Sequence, residues 1–282
     1  MLLPKIVFAL LAALAPAPKH YSFAVNVVGQ GKPMILVPGL SCGGDVWNTT
    51  VDHYKKDYKC YVLTLPGFAG QPPIPAPILP TVRDEIIEFI ADNHLDHPIM
   101  MGHSLGGTMV LWVAATAPDV VGKVVAVDGV PFLPAVMDPS ATLENGKAYG
   151  EQMRASIAGA SHAAFEKINR QSLSFMITSP RDIDFVMKNS SKSDPKSVGE
   201  AMYEMCSNDL RPEMAKITAP VLELGEGAFF RTAEQMKEGM AAYEDEIKLI
   251  PNHTLKMSPK SRHFIMLDDP AFFFRAIDDF LK

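Results

Sequence analysis

Pro98-Ile99-Met100-Met101-Gly102-His103-Ser104-Leu105-Gly106-Gly107, followed by Thr108 to Ala117, joins two apolar segments through a short glycine-flanked turn. The run ending at Met101 is continuously apolar, as expected of a strand covered on both faces. Leu105 to Ala117 has the length of a helix and is apolar almost throughout, which suits the buried centre of a sheet. Gly-x-Ser-x-Gly at such a join describes a sharp strand–turn–helix with the serine at its exposed, strained apex. Further apolar runs lie on either side: Met34 to Val37, Tyr61 to Leu65, Val124 to Val127 and Val221 to Leu224, with Tyr21 to Val28 ahead of them. Helical patterns separate them at Val46 to Lys56, Val82 to Asn93 and Thr232 to Tyr243. Strands alternating with helices at this spacing predict an α/β fold, a doubly wound and mostly parallel sheet.

Two stretches break the alternation. Gln71 to Pro80 holds five prolines in ten residues and reads as a stiff surface loop. From Pro131 to Thr218 no strand signal occurs, and helical patterns run over Glu144–Gly159, His162–Ile177, Arg181–Lys188 and Pro195–Ser207. The expected organisation is a core of residues 18–130 and 219–282, interrupted by a helical lid over residues 131–218. Met137, Met153, Met176, Met187, Met202, Met205 and Met214 fall in that insertion and predict an apolar, adaptable acyl pocket beneath it.

The chain has 282 residues, 48% hydrophobic and 21% charged, so a disordered or fibrous protein is excluded. Twenty-six basic against 32 acidic residues give a net charge of −6, which does not suit a nucleic-acid backbone. Lys5 followed by the apolar run Ile6 to Ala15 has the length of a signal-peptide core and is too short to span a bilayer. Residues 1–17 therefore read as a signal-peptide-like segment, with export to a periplasmic or extracellular location and no stable membrane span in the mature chain. Cys42, Cys60 and Cys206 lack metal-ligand spacing and are expected to be free thiols. No clustered ligands suggest a metal, and no G-x-G-x-x-G suggests a nucleotide.

Gly-x-Ser-x-Gly occurs a second time, at Gly39-Leu40-Ser41-Cys42-Gly43. Pro38 would remove a ladder hydrogen bond at the end of that preceding strand. The helix after Ser41 carries Asp45, Asp52, Lys55 and Lys56 and reads as a surface helix, so Ser104 is the better nucleophile. Among the histidines, His263 alone follows the last strand, at Thr254 to Ser258, and precedes the final helix. From there it can reach the turn at Ser104 as a general base. Val37-Pro38-Gly39-Leu40, Gly102-His103-Ser104-Leu105-Gly106-Gly107 and Ser261-Arg262-His263-Phe264 to Asp268-Asp269-Pro270 stand in family order, with Pro66-Gly67-Phe68-Ala69-Gly70 as a further matching loop. In these motifs the chain resembles the α/β-hydrolase superfamily over about residues 22 to 282, in its carboxylesterase- and lipase-like branch with a helical lid.

The resemblance implies that the backbone amides of Leu40 and Leu105 form an oxyanion hole and that a Ser-His-acid triad operates without cofactor or metal. The acid is the open member. The family usually shows Gly-x-x-Asp after the strand Val221–Leu224, whereas Gly225-Glu226-Gly227-Ala228 stands here. Asp128, at the end of the preceding core strand, is the replacement, with Glu226 as the alternative. The expected activity is hydrolysis of a small-molecule carboxylic ester through an acyl-enzyme. A lactonase, an amidase or a carbon–carbon bond hydrolase would use the same three residues. An inactive binding protein is the reading from a different class, motivated by the empty acid position.

Overall fold

The computed structural model describes residues 20–282, so the Ile6–Ala15 run and the export reading it motivates lie outside the described residues. Seven strands form one sheet in the order β1-β3-β2-β4-β5-β6-β7. They are β1 (Ala24–Gly29), β2 (Lys32–Val37), β3 (Tyr58–Thr64), β4 (Ile99–His103), β5 (Lys123–Val127), β6 (Val221–Glu226) and β7 (His253–Ser258). Only β1 runs antiparallel, against β3, and every other pairing in this sheet is parallel.

The apolar runs bury both of their faces. In β2, Ile35 and Val37 pack on one side of the sheet with Met100 and Ala126, while Met34 and Leu36 pack on the other with Met101, Val125 and Val127. Helices α2 (Ile78–Asp92) and α3 (Leu105–Thr116) cover the first side. Helices α1 (Asn48–Tyr54) and α11 (Pro270–Leu281) cover the second, where Trp47 lies against Phe273. Between β5 and β6 the chain is helical: α4 (Leu133–Met137), α5 (Leu143–Ala158), α6 (His162–Met176), α7 (Pro180–Ser190), α8 (Pro195–Ser207) and a 3-10 turn over Arg211–Lys216. Helices α9 (Ala233–Ile247) and α10 (Ile265–Asp268) complete the order. Cys42, Cys60 and Cys206 are buried free thiols, as expected.

The proline-rich segment is shorter than its composition suggests. Its composition predicts an irregular chain through Pro80, but α2 begins at Ile78. A proline in the first turn displaces no intrahelical hydrogen bond, because those amides have no acceptor within the helix. The amides of Ile78 and Leu79 instead donate to the carboxylate of Glu204 on α8, at 2.7 and 2.6 Å. The cap that starts α2 therefore comes from 125 residues further along the chain and has no local signature.

Register brings the ends of the central strands level. Val37 pairs with Gly102, His103 with Val127, and Val127 with Leu224. The residues that follow β2, β4 and β5, together with the last residue of β6, consequently share one edge of the sheet. Leu40, Ser104, Asp128 and Glu226 all lie there.

Candidate active site

Ser104 sits between β4 and α3 with φ 55° and ψ −122°, a backbone conformation that costs a non-glycine residue about 1–3 kcal/mol. The surroundings hold it there. Its amide donates to the Val127 carbonyl at 2.8 Å, and its carbonyl accepts from the Thr108 amide at 3.0 Å. Any side chain at Gly102 would fall on the Gly106 backbone, and one at Gly106 would fall on the Val37 carbonyl. These two glycines let strand, turn and helix pack closely enough to present the serine at the apex. Leu105 is the first residue of α3, so its amide is among those a helix leaves without an internal acceptor. The loop carrying Leu40 lies against this turn, since a side chain at Gly39 would meet Nδ1 of His103 at 2.9 Å and Cβ of Ser104 at 3.2 Å.

His263 lies in the loop between β7 and α10. That loop is anchored from several directions. The Ser261 carbonyl accepts from the amides of Gly227 and Ala228, and the Phe264 amide donates to the Met176 carbonyl. The carboxylate of Asp268 accepts from the Arg262 amide and from the amide and hydroxyl of Thr178, each at 2.9 Å. Nδ1 of His263 donates to Oδ2 of Asp128 at 2.5 Å, which leaves Nε2 for the cavity that both His263 and Ser104 line. Burial presses this imidazole toward its neutral form, but the hydrogen bond and charge of Asp128, with Glu226 behind, outweigh burial and raise its pKa above the usual histidine value.

Asp128 takes φ 54°, 8% exposed, and its amide donates to the Leu224 carbonyl at 2.7 Å. Besides His263, its carboxylate accepts from the Glu226 amide at 3.2 Å and from the Tyr243 hydroxyl of α9. Three donors thus converge on one buried carboxylate. Glu226, the alternative acid, lines the same cavity, but its backbone amide rather than its carboxylate engages this network. Ala228, at the family's usual acid position, donates only its backbone amide, to the Ser261 carbonyl. Tyr243 carries no sequence signal for such a role, being one aromatic on an amphipathic surface helix.

His103, inside the turn, is fully buried. Its Nε2 donates to the His263 carbonyl at 3.1 Å, and its ring lies 4.7 Å from that of His263. Burial, with the nearby His263, holds its pKa well below the usual histidine value, so it is a neutral support of the His263 loop.

The second motif has a structural explanation. Ser41 is also at positive φ, 64°, but its hydroxyl donates to the Ser190 carbonyl at 3.0 Å. The Ser193 hydroxyl lies 3.1 Å from it, donates to the Ser41 carbonyl at 2.9 Å and accepts from the Ala69 amide at 2.8 Å. This network ties the Leu40 loop to the end of α7. Ser41→Ala should keep most of the turnover while losing about 1 kcal/mol of stability, read as a fall of about 2–4 °C in Tm. Loss of turnover with unchanged Tm would contradict this role.

The cavity above the sheet edge has a volume of about 420 Å³. Leu133, Met153, Ile157, Phe165, Met202 and Met205 line it from the helical segment, with Asn169, Ser156 and Ser172 as its polar points. Of the methionines in that segment, Met153, Met176, Met202 and Met205 reach the cavity, whereas Met187 and Met214 pack in the core. Phe175 and Phe229, 65% and 50% exposed, stand at its opening. Among the described residues no cluster of side chains could hold a metal ion, and no helix is long and apolar enough to cross a membrane.

The model of the alpha/beta hydrolase family matches residues 34–276. Among curated proteins, the chain is similar to a pimeloyl-[acyl-carrier protein] methyl ester esterase of Vibrio atlanticus, 32% identical over 114 residues, 40% of this chain and 43% of that protein. It is similar also to an (E)-2-((N-methylformamido)methylene)succinate hydrolase of Acinetobacter baylyi, 28% identical over 103 residues, 36% and 39% of the two chains. The matched stretch thus spans about two fifths of these relatives' length. Among solved structures, a hydrolase from Pseudomonas aeruginosa superposes with a TM-score of 0.75 at 18% identity, covering 92% of this chain and 94% of that one. The enol-lactonase from Burkholderia xenovorans LB400 does so at 0.72 and 16%, covering 92% and 96%. At such identities these two share the fold alone.

Proposed function

The chain belongs to the α/β-hydrolase family, and we propose that within it the protein hydrolyses small carboxylic esters with Ser104, His263 and Asp128 as its triad. The observation that carries this reading is the 2.5 Å hydrogen bond from His263 to Asp128 beside a serine at φ 55°, with all three residues lining one cavity. The bond from Nδ1 to Asp128 selects the tautomer whose Nε2 takes the proton of Ser104 as its oxygen attacks the ester carbonyl. The amides of Leu40 and Leu105 hold the developing oxyanion, each contributing about 3–4 kcal/mol. The alcohol leaves with the proton from His263, and water then releases the acid by the same route. Asp128 stabilises the imidazolium formed in each half. An inactive binding protein was worth weighing because Ala228 stands at the usual acid position; the Asp128–His263 pair supports an active enzyme instead.

In this reading α4 to α8 serve as a lid and supply the acyl pocket. A cavity of about 420 Å³ lined by flexible methionines suits small to medium acyl groups. With p-nitrophenyl esters, kcat/KM should rise from acetate to butyrate and fall again by palmitate. Absence of hydrolysis at butyrate, or a steady rise to palmitate, would overturn the pocket assignment.

A further inference from the structure

We infer that the site discriminates by charge, taking uncharged esters and rejecting those that carry a carboxylate, and that Glu226 is the specificity-determining residue. The inference rests on the ester-hydrolase reading and names the substrate class of that same site. Among the described residues, no lysine or arginine lines the cavity, whereas Asp128 and Glu226 both do. A carboxylate entering this space would lose its water without meeting a lysine or arginine, which is costly in a largely apolar enclosure. It would also face like charge.

Glu226 is well placed for this role. It ends β6, beside Asp128, and one of its carboxyl oxygens, Oε2, is buried with no hydrogen-bond partner. Its neighbours come from four directions: Asp128 after β5, His263 and Arg262 from the loop after β7, Asp268 on α10, and Tyr243 on α9. Glu223, three residues earlier on the same strand, is fully buried, and desolvation with the charge of Asp128 raises its carboxyl well above the usual glutamate range. Arg262 holds the Glu226 carboxyl down in part but does not line the cavity. Its guanidinium stacks over the Phe229 ring and donates to the carbonyls of Ser174 and Ile177 at 2.9 and 3.3 Å.

Burial, reinforced by Asp128, pushes the Glu226 carboxyl up to about 7. A carboxyl is neutral below its pKa and charged above it, so Glu226 gains its negative charge as pH rises through about 7. Rejection of anionic esters should strengthen over that interval. Protonation of His263 affects every ester alike, so it cancels in a ratio of two substrates.

Dimethyl adipate and monomethyl adipate share one acyl skeleton and differ in a single carboxylate, ionised throughout pH 6 to 8. The wild-type chain should favour the diester in kcat/KM by at least tenfold at pH 8, with a smaller ratio at pH 6. Glu226→Gln keeps the side chain's size and removes the charge, and should narrow the pH 8 ratio at least threefold and flatten its pH dependence. A wild-type ratio below tenfold, or a ratio unaltered by Glu226→Gln, would overturn the inference. The wild-type pH series needs no variant, so a poorly folded Glu226→Gln would leave the test intact. Failure to hydrolyse either ester would instead strike at the ester-hydrolase reading, and is distinguished by the absence of any rate for the diester.

Discussion

Ser104→Ala lowers kcat for a short p-nitrophenyl ester by about 10⁵-fold, the scale on which removing a nucleophile disables a serine hydrolase. The oxyanion amides belong to the backbone and survive the substitution, so a small residual rate over solution is expected. Folding should be unaffected, because alanine at this position bears the same φ of 55° that the serine already tolerates. Ser104→Gly makes the distinction sharper. Glycine removes the conformational penalty at positive φ, so this variant should be equally inactive and at least as stable as wild type in urea unfolding. A variant that lost both stability and turnover would mark Ser104 as structural, and one that retained turnover would move the nucleophile elsewhere.

Asp128→Asn is expected to cost about 10³–10⁴ in kcat, against a loss at least tenfold smaller for Glu226→Gln. The buried carboxylate of Asp128 accepts from three donors: Nδ1 of His263, the Glu226 amide and the Tyr243 hydroxyl. An asparagine offers a single oxygen to all three and must turn an N–H toward one of them. The arrangement satisfied most simply has the asparagine N–H facing Nδ1, which puts the imidazole proton on Nε2 and removes the base from Ser104. The pH profile carries a second signature. Wild-type kcat/KM on an uncharged ester should fall on the acid side with an apparent pKa above 6.5, because Asp128 raises that of His263. In Asp128→Asn that limb should move to lower pH, since burial then acts on the imidazole unopposed by its largest partner. Unchanged turnover in Asp128→Asn together with a hundredfold loss in Glu226→Gln would transfer the acid role.

Much of this arrangement was legible in the sequence where local chemistry reports long-range position. Apolar runs such as Met34 to Val37 marked strands covered on two faces, and the glycines around Ser104 marked a join too close for side chains. Asp128 could be proposed because it ends the core strand before β6, where some branches of the superfamily carry the acid, and Ala228 stands at the usual acid position. The parts that stayed hidden depend on partners distant in the chain. Glu204 starts α2 from 125 residues away, so local composition, rich in prolines, gives no sign of the helix that forms at Ile78. Ser193 pins the Leu40 loop across 152 residues, and Tyr243 reaches Asp128 across 115. Neither carries a motif, because any exposed-looking serine or tyrosine could occupy such a place until the fold brings its partner near. The second Gly-x-Ser-x-Gly shows the converse: Ser41 shares the pattern and the positive φ, yet its hydroxyl is committed to Ser190 and Ser193.

The central claim is that Ser104 is an activated nucleophile at the sheet edge, and covalent labelling tests it most directly. The chain is treated with a fluorophosphonate probe and the adduct is located by peptide mass spectrometry. The account predicts one probe per chain, on Ser104, with labelling slowed in Asp128→Asn and abolished in Ser104→Ala. Absence of any adduct on the folded wild-type chain, or an adduct on Ser41 in its place, would contradict it.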